Sequence, residues 1–184
     1  MRQDKDRSGK WLLSHHGSSV LTLGGLGGFS FWRAAQPETV APRRCPDGLL
    51  EVHYPGQTES EWVLVEIETY PGRDVDRQVF DDLPLVLLDK GVLPEVICLV
   101  LRPRGKVEVR GTAERVSRRK TARLSASWKV VRLWELRAED LLASGDVGLV
   151  PWVPLTQSDD PPEVVLRRCR QRIDQVADAS DRAG

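Results

Sequence analysis

Apolar and polar positions fall in short blocks whose periods predict strands and helices in alternation. The clearest block is Trp62–Thr69, W-V-L-V-E-I-E-T. It is short, apolar and β-branched, so it reads as a buried strand. Alternate side chains of a strand point to opposite faces. Val63, Val65, Ile67 and Thr69 therefore share one face, and Trp62, Leu64, Glu66 and Glu68 share the other. Two carboxylates at the end of an otherwise apolar strand repel each other, and a buried charge needs a partner. A divalent cation would satisfy both.

The remaining blocks place the scaffold. Residues 1–9 are polar and expected to be disordered. Lys10–Leu23 reads as a helix with Ser8 as N-cap, stopped by Gly24-Gly25. The cluster Gly24, Gly25, Gly27 and Gly28 has no G-K-[ST] ending and no strand before it, so it reads as a helix stop and tight turn rather than a phosphate loop. An edge strand is expected near Glu38–Ala41, between two prolines. Pro46-Asp47-Gly48 is a turn, Leu49–Tyr54 a strand, and 55–60 a loop. Val75–Lys90 reads as a helix with Val79, Leu83, Val86 and Leu87 as its apolar stripe and a kink at Pro84. Pro94–Arg102 is a strand buried on both faces. Strand, helix and strand in succession suggest a βαβ crossover. Further on, Lys106–Arg110 reads as a short strand, Arg115–Arg123 as a loop or mobile hairpin, and Trp128–Leu136 as a strand. Ala138–Ser144 reads as a short helix, Gly148–Leu155 as a surface strand, and Glu163–Val176 as a final helix. The expected fold class is α/β, a mixed central β-sheet flanked by helices. One domain spans 10–160, a C-terminal helix 161–177, and a disordered tail 178–184.

A simple hairpin about the 55–60 loop pairs Asp47 with Glu68, Leu49 with Glu66, and His53 with Trp62. Asp47, Glu66 and Glu68 then share a face, with Asp47 and Glu66 diagonal neighbours about 6–8 Å apart at Cβ. Such a pair can hold one cation. A slip of one residue would move Asp47 to the other face. The alternative is a solvated strand edge on which Glu66 and Glu68 pair with Arg73 or Arg77.

Charge sharpens this picture. Of 184 residues 40% are hydrophobic and 29% charged, and the formal net charge is zero. That excludes a globally basic nucleic-acid binder but leaves room for a local basic patch. Arg102–Arg132 is one, with eleven basic residues against Glu108 and Glu114. The three cysteines, Cys45, Cys98 and Cys169, are far apart and odd in number, which disfavours a disulfide scaffold or thiolate zinc site and suits a reducing cytoplasm. No run reaches membrane-spanning length. The apolar Val20–Trp32 segment is broken by its glycines and follows a polar lead-in, so it does not read as a signal peptide. His15 and His16 project about 100° apart on a helix and do not suit one ion; one is expected at a helix–sheet contact. Trp128 and Trp134 are expected in the core.

Pro46-Asp47, then Glu66-x-Glu68, then a helix carrying Arg77-Gln78 resembles the PD-(D/E)xK nuclease superfamily. Further stretches resemble its Rpn-type branch, the recombination-promoting nucleases: S-G-K-W-L-L-S-H-H-G (8–17), P-D-G-L-L-E-V (46–52), V-L-V-E-I-E-T-Y-P (63–71), D-K-G-V-L-P-E-V (89–96) and G-D-V-G-L-V-P-W-V-P-L-T (145–156). The resemblance covers residues 8–175. It implies a restriction-endonuclease-like core and a Mg²⁺-dependent DNA endonuclease, with Mn²⁺ as a possible substitute. Asp47, Glu66 and Glu68 would be catalytic; Asp47, Glu66 and the Ile67 carbonyl would hold the metal. Arg77, Gln78, Arg118, Arg119 and Lys120 would meet the nucleic acid. Glu68 stands where the superfamily has Lys. It would serve as a base, recruit a second metal, or mark a catalytically inactive fold retained as a DNA- or protein-binding module. DNA is the expected partner, with a homodimer as a further option.

Overall fold

Helix α1 spans Arg2–Leu23 and opens the computed structural model, which describes residues 2–35, 46–118 and 120–175. The helix begins well upstream of Lys10, so the polar start expected to be disordered is helical from Arg2. It is kinked at His16, which has non-helical backbone angles. The glycines end it as the sequence predicts. Gly25 adopts φ +82°, its N–H donates to the Thr22 carbonyl, and the Leu26 N–H donates to the Leu21 carbonyl. This is a Schellman closure, which needs a left-handed residue that glycine supplies without strain.

Strands β1 (Phe31–Ala35), β2 (Gly48–His53) and β3 (Glu61–Glu68) form an antiparallel meander. Helix α2 (Val75–Lys90) then carries the chain to β4 (Glu95–Val100), which lies parallel to β3. The expected βαβ unit is therefore present. A separate antiparallel ribbon follows, β5 (Thr112–Val116) and β6 (Arg123–Ser127), before β7 (Lys129–Arg132) joins the main sheet parallel to β4. The strand order is β1-β2-β3-β4-β7. Helices α3 (Ala138–Ala143) and α4 (Pro162–Asp174) complete the described chain.

The sheet separates two apolar layers, because its strands alternate as the sequence predicts. Leu50, Val52, Val63, Val65, Ile97 and Leu99 pack under α1, α3, α4 and the 147–155 segment. Leu49, Leu64 and Val96 pack under Val79, Leu83 and Val86 of α2. Leu87, placed on that stripe by spacing, is exposed instead. Trp128 and Trp134 are half-buried against the α2-side core, as expected.

Several elements differ from expectation. Val147–Leu155 is a buried 3-10 segment, not a surface strand. Pro151 and Pro154 remove two ladder donors, and the segment packs across the α1 face rather than along a sheet edge. Its Asp146 end accepts from Ser19 Oγ at 2.7 Å, tying it to α1, and His16 lies against Gly148. His15 stacks on Trp11 and is exposed. Lys106–Arg110 makes no strand; the region holds one bridge, Arg104 to Val107. The strand expected over Trp128–Leu136 ends at Arg132 and turns into a 3-10 turn, Leu133–Glu135. The expected edge strand near Glu38–Ala41, Cys45, Arg119 and the tail 178–184 lie outside the described residues.

Candidate active site

The hairpin register places Gly48 opposite Val65 and Leu49 opposite Leu64. This is two residues from the expected pairing, and the cause is a wider connection between the strands than a minimal loop. A shift of two preserves the faces. His53 consequently faces Phe31 across β1, and Trp62 faces Glu51. Continued one step beyond β2, the same register sets Asp47 directly opposite Glu66 rather than diagonal to it.

The contacts agree. The Ile67 N–H donates to Asp47 Oδ2 at 2.8 Å, and the Asp47 N–H lies 3.5 Å from Glu66 Oε2. The β-ladder explains why Ile67 reaches Asp47. The Leu101 N–H donates to the Glu68 carbonyl, so the backbone of Glu68 faces β4 and that of Ile67 faces β2. Extended two residues before β2, this register sets Pro46 opposite Ile67. Proline has no N–H to give, so the strand supplies no donor to the Ile67 carbonyl at that rung.

Glu66 is 3% exposed, in the middle of the sheet. This excludes the solvated-edge alternative for that residue. Arg77 lies instead 3.6 Å from Asp81, one helical turn along α2. The Glu66 carboxyl is pushed up to about 9, first by burial and then by the charges of Asp47, Glu68 and Asp82. Without a cation it holds a proton at neutral pH. Gln78 Nε2 of α2 donates to Glu66 Oε1. The Gln78 amide, expected at the nucleic-acid surface, is therefore turned inward onto the acid.

Three neighbours were not read from the sequence as part of the site. Asp82 is 2% exposed on α2, one turn after Gln78. Its signal was present: an acid flanked by Val79, Leu83 and Val86 on a buried stripe, at the i+4 position from Gln78. Cys98 sits beside Glu66 in the parallel β3–β4 register, and burial followed by the Glu66 charge pushes its thiol well above the usual range. Asp76 opens α2 and accepts from the Arg110 and Gly111 N–H groups at 2.9 and 3.0 Å.

Asp47 is half-buried and Glu68 half-buried, on the same face as Glu66. Among the described residues no group of three or more His, Cys, Asp or Glu side chains is arranged to hold a metal ion. Of the other expected site residues, Arg77, Arg118 and Lys120 are exposed. No helix among the described residues is long and apolar enough to cross a membrane. No protein-family model, curated protein or solved structure matches the chain.

Proposed function

We propose that the chain is a Mg²⁺-dependent DNA endonuclease with a restriction-endonuclease-like core, cutting phosphodiester bonds at the Asp47 end of β3. Mn²⁺ would substitute for Mg²⁺. One observation carries the reading: Glu66 is buried in a central strand facing Asp47, with Glu68 and Asp82 raising its proton affinity further. Such a cluster is destabilising unless a proton or a cation joins it. Mg²⁺ takes one or two carboxylates and keeps several waters, so two acids and a carbonyl suffice. Asp47, Glu66 and the Ile67 carbonyl are the ligands that fit. The bound ion would polarise the phosphoryl oxygen and lower the pKa of an attacking water.

The chain's own residues do the rest. Gln78 fixes the Glu66 carboxyl through its amide hydrogen bond. The Ile67 N–H fixes Asp47. Glu68, two residues along β3 and half-buried, would accept the proton of the attacking water. Arg77, on the exposed side of the turn that carries Gln78, and Arg118, Arg119 and Lys120 contact phosphates. The buried unpaired Cys98 and Cys169 suit a reducing cytoplasm.

The test is nicking of supercoiled plasmid. Nicking that needs Mg²⁺ and disappears in Glu66→Ala supports the proposal; no nicking by the wild-type chain with Mg²⁺ or Mn²⁺ overturns it. A second reading, a binding module on an inactive nuclease fold, is favoured by Glu68 standing in the Lys position. It predicts plasmid binding without cutting, and cutting gained by Glu68→Lys.

A further inference from the structure

We propose that the β5–β6 ribbon is a duplex-reading arm, inserted into the major groove of double-stranded DNA and locked in pose by Asp76. The proposal rests on the nuclease reading for the cutting step and adds the form of the substrate.

The ribbon is a distinct two-stranded sheet, outside the five-stranded one. Its register pairs Thr112 with Ser127, Glu114 with Ser125, and Val116 with Arg123. These six residues share one face, and all are exposed. The opposite face holds Ala113, Arg115, Leu124 and Ala126. It leans on α2: Arg115 stacks over Phe80 at 5.3 Å and reaches Asp81 at 3.6 Å, and Ala126 packs against the α2-side core. One face is thus spent on the scaffold, and the other presents Thr112, Ser125 and Ser127 to solvent, beside Val116 and the 3.3 Å Arg123–Glu114 ion pair.

Shape and charge both select duplex DNA. The major groove is about 12 Å wide and 8.5 Å deep and admits a two-stranded β-ribbon. Five residues per strand give a ribbon roughly 17 Å long. The outward Thr112, Ser125 and Ser127 hydroxyls can donate to or accept from base edges. The turn at the tip carries Arg118 and Lys120. Arg118 and Lys120 are exposed and form no ion pair among the described residues, so they are placed for the phosphates that flank a groove. Single-strand binders use aromatic platforms on which bases stack. Residues 112–127 contain no Phe, Tyr or Trp.

The pose is fixed at the root. Both Asp76 oxygens are engaged by consecutive backbone N–H groups, those of Arg110 and Gly111. Gly111 adopts φ +72°, and a Cβ there would lie 2.8 Å from the Trp128 carbonyl oxygen. Asp76 and Gln78 belong to the same first turn of α2, so one rigid turn holds both the arm and Glu66.

The experiment is fluorescence anisotropy on the full chain without divalent metal, with a 20-base-pair duplex and the matching 20-nucleotide single strand. The duplex is expected to bind at least tenfold tighter. Arg118→Gln with Lys120→Gln should weaken duplex binding at least fivefold, lower its salt slope by about 2, and leave the melting temperature unchanged. Asp76→Ala should cost similar duplex affinity while Glu66-dependent metal binding persists. Equal affinity for the two DNA forms, or duplex binding indifferent to the double variant, overturns the proposal. Mg²⁺-dependent nicking alongside equal affinities would sink the arm and keep the nuclease. Arm-dependent duplex binding without nicking would do the reverse.

Discussion

The Ile67 N–H donates to Asp47 Oδ2 at 2.8 Å, so a side chain takes the rung of the β-ladder that Pro46 opposes. Asp47 is thereby a structural acceptor as well as a charge. Its removal to Ala strands a half-buried N–H, at a cost of about 1–3 kcal/mol. Asp47→Asn keeps an oxygen for Ile67 and removes only the charge. We expect Asp47→Asn to melt near the wild-type temperature and to lose metal-dependent nicking, whereas Asp47→Ala melts lower as well. Thermal melts run beside plasmid assays separate the two roles.

Glu66→Gln imitates the protonated acid and keeps the oxygen that Gln78 addresses. It should leave the metal-free protein as stable as the wild type or more so, and abolish any rise in melting temperature on adding Mg²⁺. Glu66→Ala should instead destabilise the fold, by about 1–3 kcal/mol, because it leaves the half-buried Gln78 amide without its acceptor. Urea titrations with and without Mg²⁺ read both effects.

Glu66 gives the metal-free protein a pH signature. Its carboxyl binds a proton more tightly folded, at about 9, than unfolded, near 4.5. Its contribution to stability is therefore complete below pH 4.5 and is lost as pH climbs to about 9. The slope between is on the order of 1 kcal/mol per pH unit. Stability measured at pH 5, 7 and 9 should fall in the wild type more steeply than in Glu66→Gln. Parallel profiles would show that Glu66 is ionised in the folded protein.

The same proton links pH to the metal. Occupation of the site by Mg²⁺ requires the ionised acid, so binding at pH 7 should release close to one proton. Calorimetry in two buffers of different ionisation enthalpy measures that release. Glu66→Gln should show none.

Gly111→Ala tests the root of the ribbon. The substitution forces a side chain into a left-handed backbone position and against the Trp128 carbonyl. A loss of about 1–3 kcal/mol is expected, together with faster hydrogen exchange at Arg110 and Gly111, whose N–H groups Asp76 holds.

The sheet was legible because its strands carry a period of two that survives burial on both faces. Val63 and Val65 go to one core and Leu64 to the other, as spacing predicts. The α2 boundaries were legible for a similar reason: Asp74 precedes the apolar stripe and Gly91 follows it, at φ +73°. The common face of Asp47 and Glu66 was legible by parity alone, since a two-residue error in register leaves every side chain on its own face. Their direct opposition was not, because the length of the 54–60 connection fixes it. The 147–155 segment misled for a physical reason. A short apolar run bounded by prolines has the same composition whether it lies in a sheet or packs as a 3-10 segment across helices. Asp82 escaped because a single acid inside an apolar stripe looks like a break in periodicity until a facing carboxylate gives it a purpose.

The ribbon leaves the scaffold at Gly111 and returns at Trp128, and the Trp128 N–H already donates to the Gly111 carbonyl at 2.8 Å. Departure and return points that touch make the intervening sixteen residues, 112–127, an exchangeable cassette. The chain could be spliced across that bond with the β4–β7 pairing intact. A different hairpin could be grafted at the same junction while the acid cluster stayed unaltered.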